Sequence, residues 1–335
     1  MVIVPFGVNI NLDRKARLTL LAAIILAGVL LYFSFRGIDM GELEKTLKSA
    51  RVAPLFIAIL ISTLALWLRS YRWRVLLNCS ADLPIRTVFW ANSLCYLGNN
   101  ILPARMGELL RVEALKRSHN LSRSYLLATA VIERVMDAGV LVLFTSAALL
   151  TLPGLPSWLH RASQTFSVLS GVGILTLFLL PHAETFVLRL LSKIPKLSAV
   201  ASRFLDGLRS LHSWWRSSLF LLLTLIIWPL DSYTGVLVAN SIGVPLDFQT
   251  SMVVLAALGL SSAVPSTPGY VGVFQFVAVN VLKPFGIASS AALAWILIYQ
   301  AVNYIVQAFF GLIGFAVLSK QEAMGSGASS EAASI

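Results

Sequence analysis

Six apolar runs set the limits on this chain: 18–35, 53–71, 124–152, 166–180, 218–239 and 288–318. A helix rises about 1.5 Å per residue, so roughly 20 apolar residues cover a hydrocarbon core about 30 Å thick. Five runs approach or exceed that length, and 166–180 is short. In lipid every backbone N–H and C=O must find its partner within the protein, which makes helices the form such runs take. Composition agrees: 57% of residues are hydrophobic and 12% charged, against about 25% charged in a soluble domain. The net charge of +11 then fits basic loops held against anionic lipid head groups, and no nucleic-acid partner is expected. Arg14, Lys15 and Arg17 precede the first run in the manner of a signal peptide. Tyr32, Phe33 and Phe35 occupy the place of small cleavage residues, so the run reads as a retained span.

Two further apolar stretches, 87–102 and 250–264, run into breaks. The first break lies in LGNNILPARMGELLRV (97–112) and the second in LSSAVPSTPGYVGVFQF (260–276), each with a Pro followed four residues later by a Gly: Pro103 and Gly107, Pro265 and Gly269. Lys and Arg decide whether these stretches cross or turn back. If both turn back as re-entrant hairpins, 19 basic residues fall inside and 6 outside, with Arg134 inside a span. If both cross, the division is 16 to 9. The hairpin arrangement separates charge better and puts both termini in the cytoplasm, although it leaves the basic 36–51 segment as an outer loop.

The expected fold is therefore an all-α polytopic membrane protein with about six full spans and two re-entrant hairpins, eight hydrophobic segments in a single domain over 1–320. Units 53–152 and 218–318 enter the membrane from opposite sides, as an inverted repeat does. Between them, 181–217 reads as an amphipathic connector on the cytoplasmic surface, with Leu197, Phe204, Leu208 and Leu211 at helical spacing. The tail 321–335, containing GSGASS, reads as disordered. Cys79 and Cys95 make neither a disulfide framework nor a metal site, and the four histidines have no ligand spacing. No cofactor or metal is expected.

Charge inside the spans marks the candidate site. Glu133 and Asp137 are four residues apart and share a helix face, and Arg134 reaches Asp137 at i, i+3. Each costs roughly 2.5–3.5 kcal/mol at mid-helix, so all three must face protein or water. They serve either a functional site or an internal ion pair. In the first break Arg105 and Arg111 suit phosphate, whose oxygens match the guanidinium fork. Glu108 lies between them, and these charges could equally pair with one another or with Glu133 and Arg134. Asn99 and Asn100 offer amides where Pro103 frees backbone groups. The second break offers Ser266, Thr267 and Gly269 without charge, then Gln275, on a half-helix whose N-terminus would attract anions. Its alternative is a simple kink. Asp231, two residues after Pro229, is a candidate ion-coupling group or a partner for a neighbouring hydroxyl. Arg69, Arg72 and Arg74, beside Tyr71 and Trp73, read as a snorkelling interfacial anchor.

NNILPARMGELLR (99–111), the ER-x-x-D pattern of Glu133, Arg134 and Asp137, and PSTPGYVGVFQ (265–275) resemble the membrane-embedded, flippase-like domain of lysylphosphatidylglycerol synthases. The chain looks like a stand-alone member without the aminoacyl-transfer domain, so lysyltransferase activity is not expected. Tyr270 stands where that family often has a second Gly, and Gln275 where it often has Glu, so proton coupling does not carry over at that position. The resemblance implies a multi-pass inner-membrane flippase for an anionic phospholipid or a polyprenyl or glycolipid. Its rivals are a membrane-embedded lipid-modifying enzyme using Glu108, Glu133 or Asp137, and a non-catalytic partner of a lipid-synthesis enzyme.

Overall fold

The computed structural model describes residues 2–4, 8–10, 14–78, 82–102, 105–119, 121–151, 157–191, 195–262 and 267–332. Among these residues thirteen α-helices in chain order carry the fold. They are α1 (Arg14–Phe35), α2 (Met40–Lys48), α3 (Val52–Leu77), α4 (Ile85–Ile101), α5 (Gly107–His119), α6 (Arg123–Thr151) and α7 (Ser157–Leu179), then α8 (Glu184–Leu191), α9 (Pro195–Leu208), α10 (Trp214–Ser241), α11 (Phe248–Ser261), α12 (Val273–Leu282) and α13 (Ser289–Ala332). One exception to the all-α expectation is an N-terminal antiparallel ribbon, Val2–Val4 (β1) against Val8–Ile10 (β2). Its β-branched residues favour the extended form.

Among the described residues four helices are long and apolar enough to cross a membrane: Val52–Leu77, Ser163–Phe186, Trp214–Ser241 and Ser289–Gln321. A fifth crossing arises if Ile24–Phe35 and α2, which meet at 89°, form one broken span. Helix α6 has the length, at 29 residues, but carries Glu133, Arg134 and Asp137 within its apolar run. Phe166, Val168, Leu169, Val172, Leu175 and Leu179 on α7 all stand exposed, an outward apolar surface that suits lipid. The protein is a multi-pass helical membrane protein.

Three expectations change. Segment 36–51 is not an open loop: α2 is capped by Asp39, whose carboxylate accepts from Gly41 and Glu42 N–H at 2.8 and 3.1 Å, and it buries Leu43. The connector forms the expected amphipathic helix in α9, but its apolar face packs on α6. Leu205, Leu208 and Leu211 are buried, and Gly207 sits so near α6 that a Cβ there would meet Ala128 at 2.6 Å. The side chains of Leu197 and Arg203 lie outside the described residues. The tail, expected to be disordered, continues α13 to Ala332, since Gln321, Glu322, Ala323 and Met324 are good helix formers.

Helices α3 and α10 run antiparallel along much of their lengths. At one end Arg51 N–H donates to Ser241 O at 2.9 Å; further along, Arg72 donates to Thr224 Oγ1 at 3.1 Å. They thread two apolar cores. One gathers the end of α3 with parts of α4, α5, α6 and the start of α10. The other gathers the end of α10 with α11, α12 and α13. Helices α4 and α5 fold into one hairpin, and α11 and α12 into another. α4 packs on α13 and α11 packs on α6.

The first hairpin closes on two glycines. A Cβ on Gly98 would meet Gly107 Cα at 2.7 Å; one on Gly107 would overlap Cys95 O and approach Asn99 N at 2.6 Å. Each Cβ would meet backbone of the facing limb, which cannot swing aside as the neighbouring Leu110 and Asn99 side chains could. Gly107→Ala is therefore expected to destabilise the protein by about 1–3 kcal/mol, as overpacking does. A thermal unfolding midpoint in detergent equal to that of the parent would refute the contact.

Where α5 leaves this hairpin, Glu113 accepts from Arg117 at 3.1 Å and from Arg123 at 2.9 and 2.7 Å, with Lys116 at 3.8 Å. Burial alone would raise its carboxyl, but the bonds from Arg123 and Arg117 and the charge of Lys116 outweigh it and hold it below its ordinary range. A depressed folded value means the stabilisation is complete above the unfolded value, about 4.3, and is lost as pH falls through the folded one. Acid titration of the unfolding midpoint should show a loss below about pH 4.3 that is smaller in Glu113→Gln. Identical acid curves would count against the cluster.

Candidate functional site: a charged cavity between the hairpins

The intramembrane charges meet in one place. Arg72 of α3 grips Asp137 of α6 with both terminal nitrogens, at 2.6 and 3.1 Å, and reaches Glu133 at 3.5 Å. Arg111 of α5 lies 2.9 Å from Glu133 and 2.6 Å from Glu108, donates to Asn92 Oδ1 at 3.1 Å, and lies 4.2 Å over the Trp73 ring. Trp228 Nε1 donates to Asp137 at 3.2 Å. These bonds join α3, α5, α6 and α10. They also correct the interfacial-anchor reading: Arg72 is 1% exposed, because α3 continues to Leu77 and carries Arg72 into the interior. Arg69 also turns inward, to Asp231 of α10. Arg74, nearer the helix end, bonds Leu83 O and Asp82.

Above this network lies a cavity of about 190 Å³. Asn99, Asn100, Arg105, Glu108, Arg134, Asp137 and Asp231 line it, with Arg69, Trp228 and Tyr270. Arg134 makes two longer pairs, to Glu108 at 3.3 Å and to Asp137 at 3.6 Å. Its side chain keeps 37% exposure, and it borders the cavity from mid-helix.

Arg105 is different. Among the described residues it has no carboxylate partner. It donates to Ser262 of the second hairpin and lies 5.7 Å over the Tyr270 ring. Its Nε is buried without an acceptor. Arg105 (φ 56°) and Tyr270 (φ 59°) are the non-glycine residues with left-handed backbone among those described. That conformation costs on the order of 1–3 kcal/mol and persists where surrounding structure enforces it, commonly at ligand sites. The two breaks thus present their strained residues to each other.

The other expected site residues play supporting parts. Arg111 and Glu133 sit behind the cavity. Thr267 Oγ1 donates to Val271 O at 2.7 Å, and Gly269 O accepts from Gln300 at 3.2 Å and from Tyr304. Gln275 donates to Gln300 at 2.5 Å and accepts from Gly272 N–H at 2.7 Å. The start of α12 is thereby capped by its own chain. It is also covered by α1, since a Cβ on Gly272 (φ 88°) would meet Ala27 Cα at 2.9 Å. It does not offer the open anion-binding N-terminus expected from the sequence. Asp231 pairs with Arg69, not with Tyr233 or a hydroxyl. Ser266 and both break prolines, Pro103 and Pro265, lie outside the described residues. Among those residues no cluster of His, Cys, Asp and Glu is arranged to hold a metal.

Two broken hairpins meeting at a charged cavity within a helical bundle define a multi-pass membrane protein with an internal polar site. The chain belongs to the lysylphosphatidylglycerol synthase TM region family, which it matches over residues 20–311. It is also similar to UPF0104 membrane protein MJ1078 of Methanocaldococcus jannaschii, at 29% identity over 229 residues, covering 66% of this chain and 94% of that protein.

Proposed function

We propose that this protein carries a lipid across the inner membrane, with its anionic head group passing through the cavity between the hairpins while the acyl chains stay in the bilayer. The observation that carries this reading is Arg105, a half-buried cation that has no carboxylate partner among the described residues and is placed where both breaks converge. The cavity, about 190 Å³, is smaller than the roughly 300–1,000 Å³ that engulfs a drug-sized ligand, and so suits a head group better than a whole lipid.

An inverted repeat supplies the alternating access. Exchanging α3 with α10, α4 with α11, α5 with α12 and α6 with α13 turns several packings into others that are present: α4 on α13 becomes α11 on α6, and α3 on α13 becomes α10 on α6. The α3–α10 pair maps onto itself. In this reading α1, α3, α6, α7, α10 and α13 are the six full spans, and the distribution of Lys and Arg supports cytoplasmic termini. No ATP-binding motif occurs in the sequence, so a gradient or mass action drives the movement. A lipid-modifying enzyme is less well supported, because Glu108, Glu133 and Asp137 are each held by a guanidinium, which leaves a poor general base.

The test is reconstitution of purified protein into phosphatidylcholine vesicles with a trace of acyl-labelled fluorescent phosphatidylglycerol. Dithionite bleaches label in the outer leaflet only. The protein should speed loss of the protected inner signal; a rate equal to that of protein-free vesicles would end the reading.

A further inference from the structure

The interior charges can be counted. Five guanidiniums, of Arg69, Arg72, Arg105, Arg111 and Arg134, face four carboxylates, of Glu108, Glu133, Asp137 and Asp231. Among the described residues the balance is one positive charge, and the group left over is Arg105. A single uncompensated charge in a low-dielectric interior is costly, and a counter-ion relieves it. The two cations best placed to receive one border the cavity. Arg134 lines it, with 37% of its side chain exposed. Arg105 and Arg134 each retain a buried Nε–H without an acceptor.

We propose that the cavity selects head groups bearing one net negative charge, namely a phosphodiester without a balancing cation, over phosphomonoesters, diphosphates and zwitterions. This rests on the translocator reading for its setting and deepens it by naming the cargo class. A phosphodiester brings one charge and two non-bridging oxygens, which match one surplus cation and the unsatisfied Nε–H groups of two arginines that line the cavity, Arg105 and Arg134. A phosphomonoester carries nearly two charges at neutral pH, which turns the balance of the dehydrated site negative. A zwitterion adds an ammonium where a cation is already in surplus.

The count also says how selectivity should move. Arg105→Gln brings the balance to zero and removes the reason to prefer an anion over a zwitterion. Asp231→Asn raises it to two and should favour the phosphomonoester. Binding is read as the rise in thermal unfolding midpoint of the full chain in detergent when phosphatidylglycerol, phosphatidic acid or phosphatidylcholine is added. The same three lipids, fluorescently labelled, are followed in the vesicle assay.

In the parent protein phosphatidylglycerol is expected to bind at least about tenfold more tightly than either other lipid, the size of one charge-assisted hydrogen bond. Asp231→Asn should narrow or reverse the gap to phosphatidic acid, and Arg105→Gln should close the gap to phosphatidylcholine. Phosphatidic acid binding as tightly as phosphatidylglycerol, equal or absent binding of all three, or a preference unmoved by both variants would overturn the inference. Movement of all three at equal rates with equal binding would overturn it while leaving translocation intact. Selective binding without movement would leave the charge selection standing and defeat the translocator reading.

Discussion

Arg72→Ala is expected to produce a poorly folded protein, through a loss of about 3–5 kcal/mol, the usual cost of leaving a buried ion without its partner. Arg72 is the principal partner of Asp137, at 2.6 and 3.1 Å, and also binds Glu133 and Thr224. Without it, Asp137 keeps Trp228 N–H at 3.2 Å and Arg134 at 3.6 Å, too little for a carboxylate in this setting. Arg72→Lys keeps the charge but loses the fork, and should fall between the two. The informative variant is the pair Arg72→Ala, Asp137→Ala, which removes both charges together. Its stability should exceed that of Arg72→Ala alone, because no charge is stranded. The unfolding midpoint and the fraction of monodisperse protein in detergent measure both effects. A single variant as stable as the parent would show that this pair does not hold α3 to α6.

The sequence made the two Pro/Gly breaks and the Glu133–Asp137 face legible because both are local: a proline frees backbone groups next to itself, and four residues make one helical turn. The partners of those charges were not legible. Arg72 meets Asp137 across 65 positions, and Arg69 meets Asp231 across 162. Near the end of an apolar run, an inward arginine and a snorkelling one have the same local sequence. Their signal was spacing: Arg69 and Arg72 sit three apart on one helix face, complementary to carboxylates on α10 and α6. Helix α2 was hidden by its charges, although Asp39 as cap and Leu43 and Leu47 at i, i+4 spell an amphipathic helix. The self-capping of α12 by Gln275 depends on Gln300, a contact that no pattern around Gly272 contains.

Arg134→Ala is expected to have the opposite profile: near-parental stability and transport slowed by about 10–100-fold, the worth of one hydrogen bond to a charged group. Stability is spared because neither partner is abandoned. Glu108 keeps Arg111 at 2.6 Å, and Asp137 keeps Arg72 at 2.6 Å, both shorter than their contacts with Arg134. Transport suffers because Arg134 lines the cavity and keeps 37% of its side chain exposed. The same reasoning separates the two arginines of α3 and α6 that touch Asp137: Arg72 holds the wall together, and Arg134 faces what enters. Arg134→Lys retains a point charge and should recover part of the rate, whereas Arg134→Gln should not. Vesicle transport normalised to correctly inserted protein gives the comparison. A parental rate in Arg134→Ala would remove this residue from the head-group path and leave Arg105 to carry it alone.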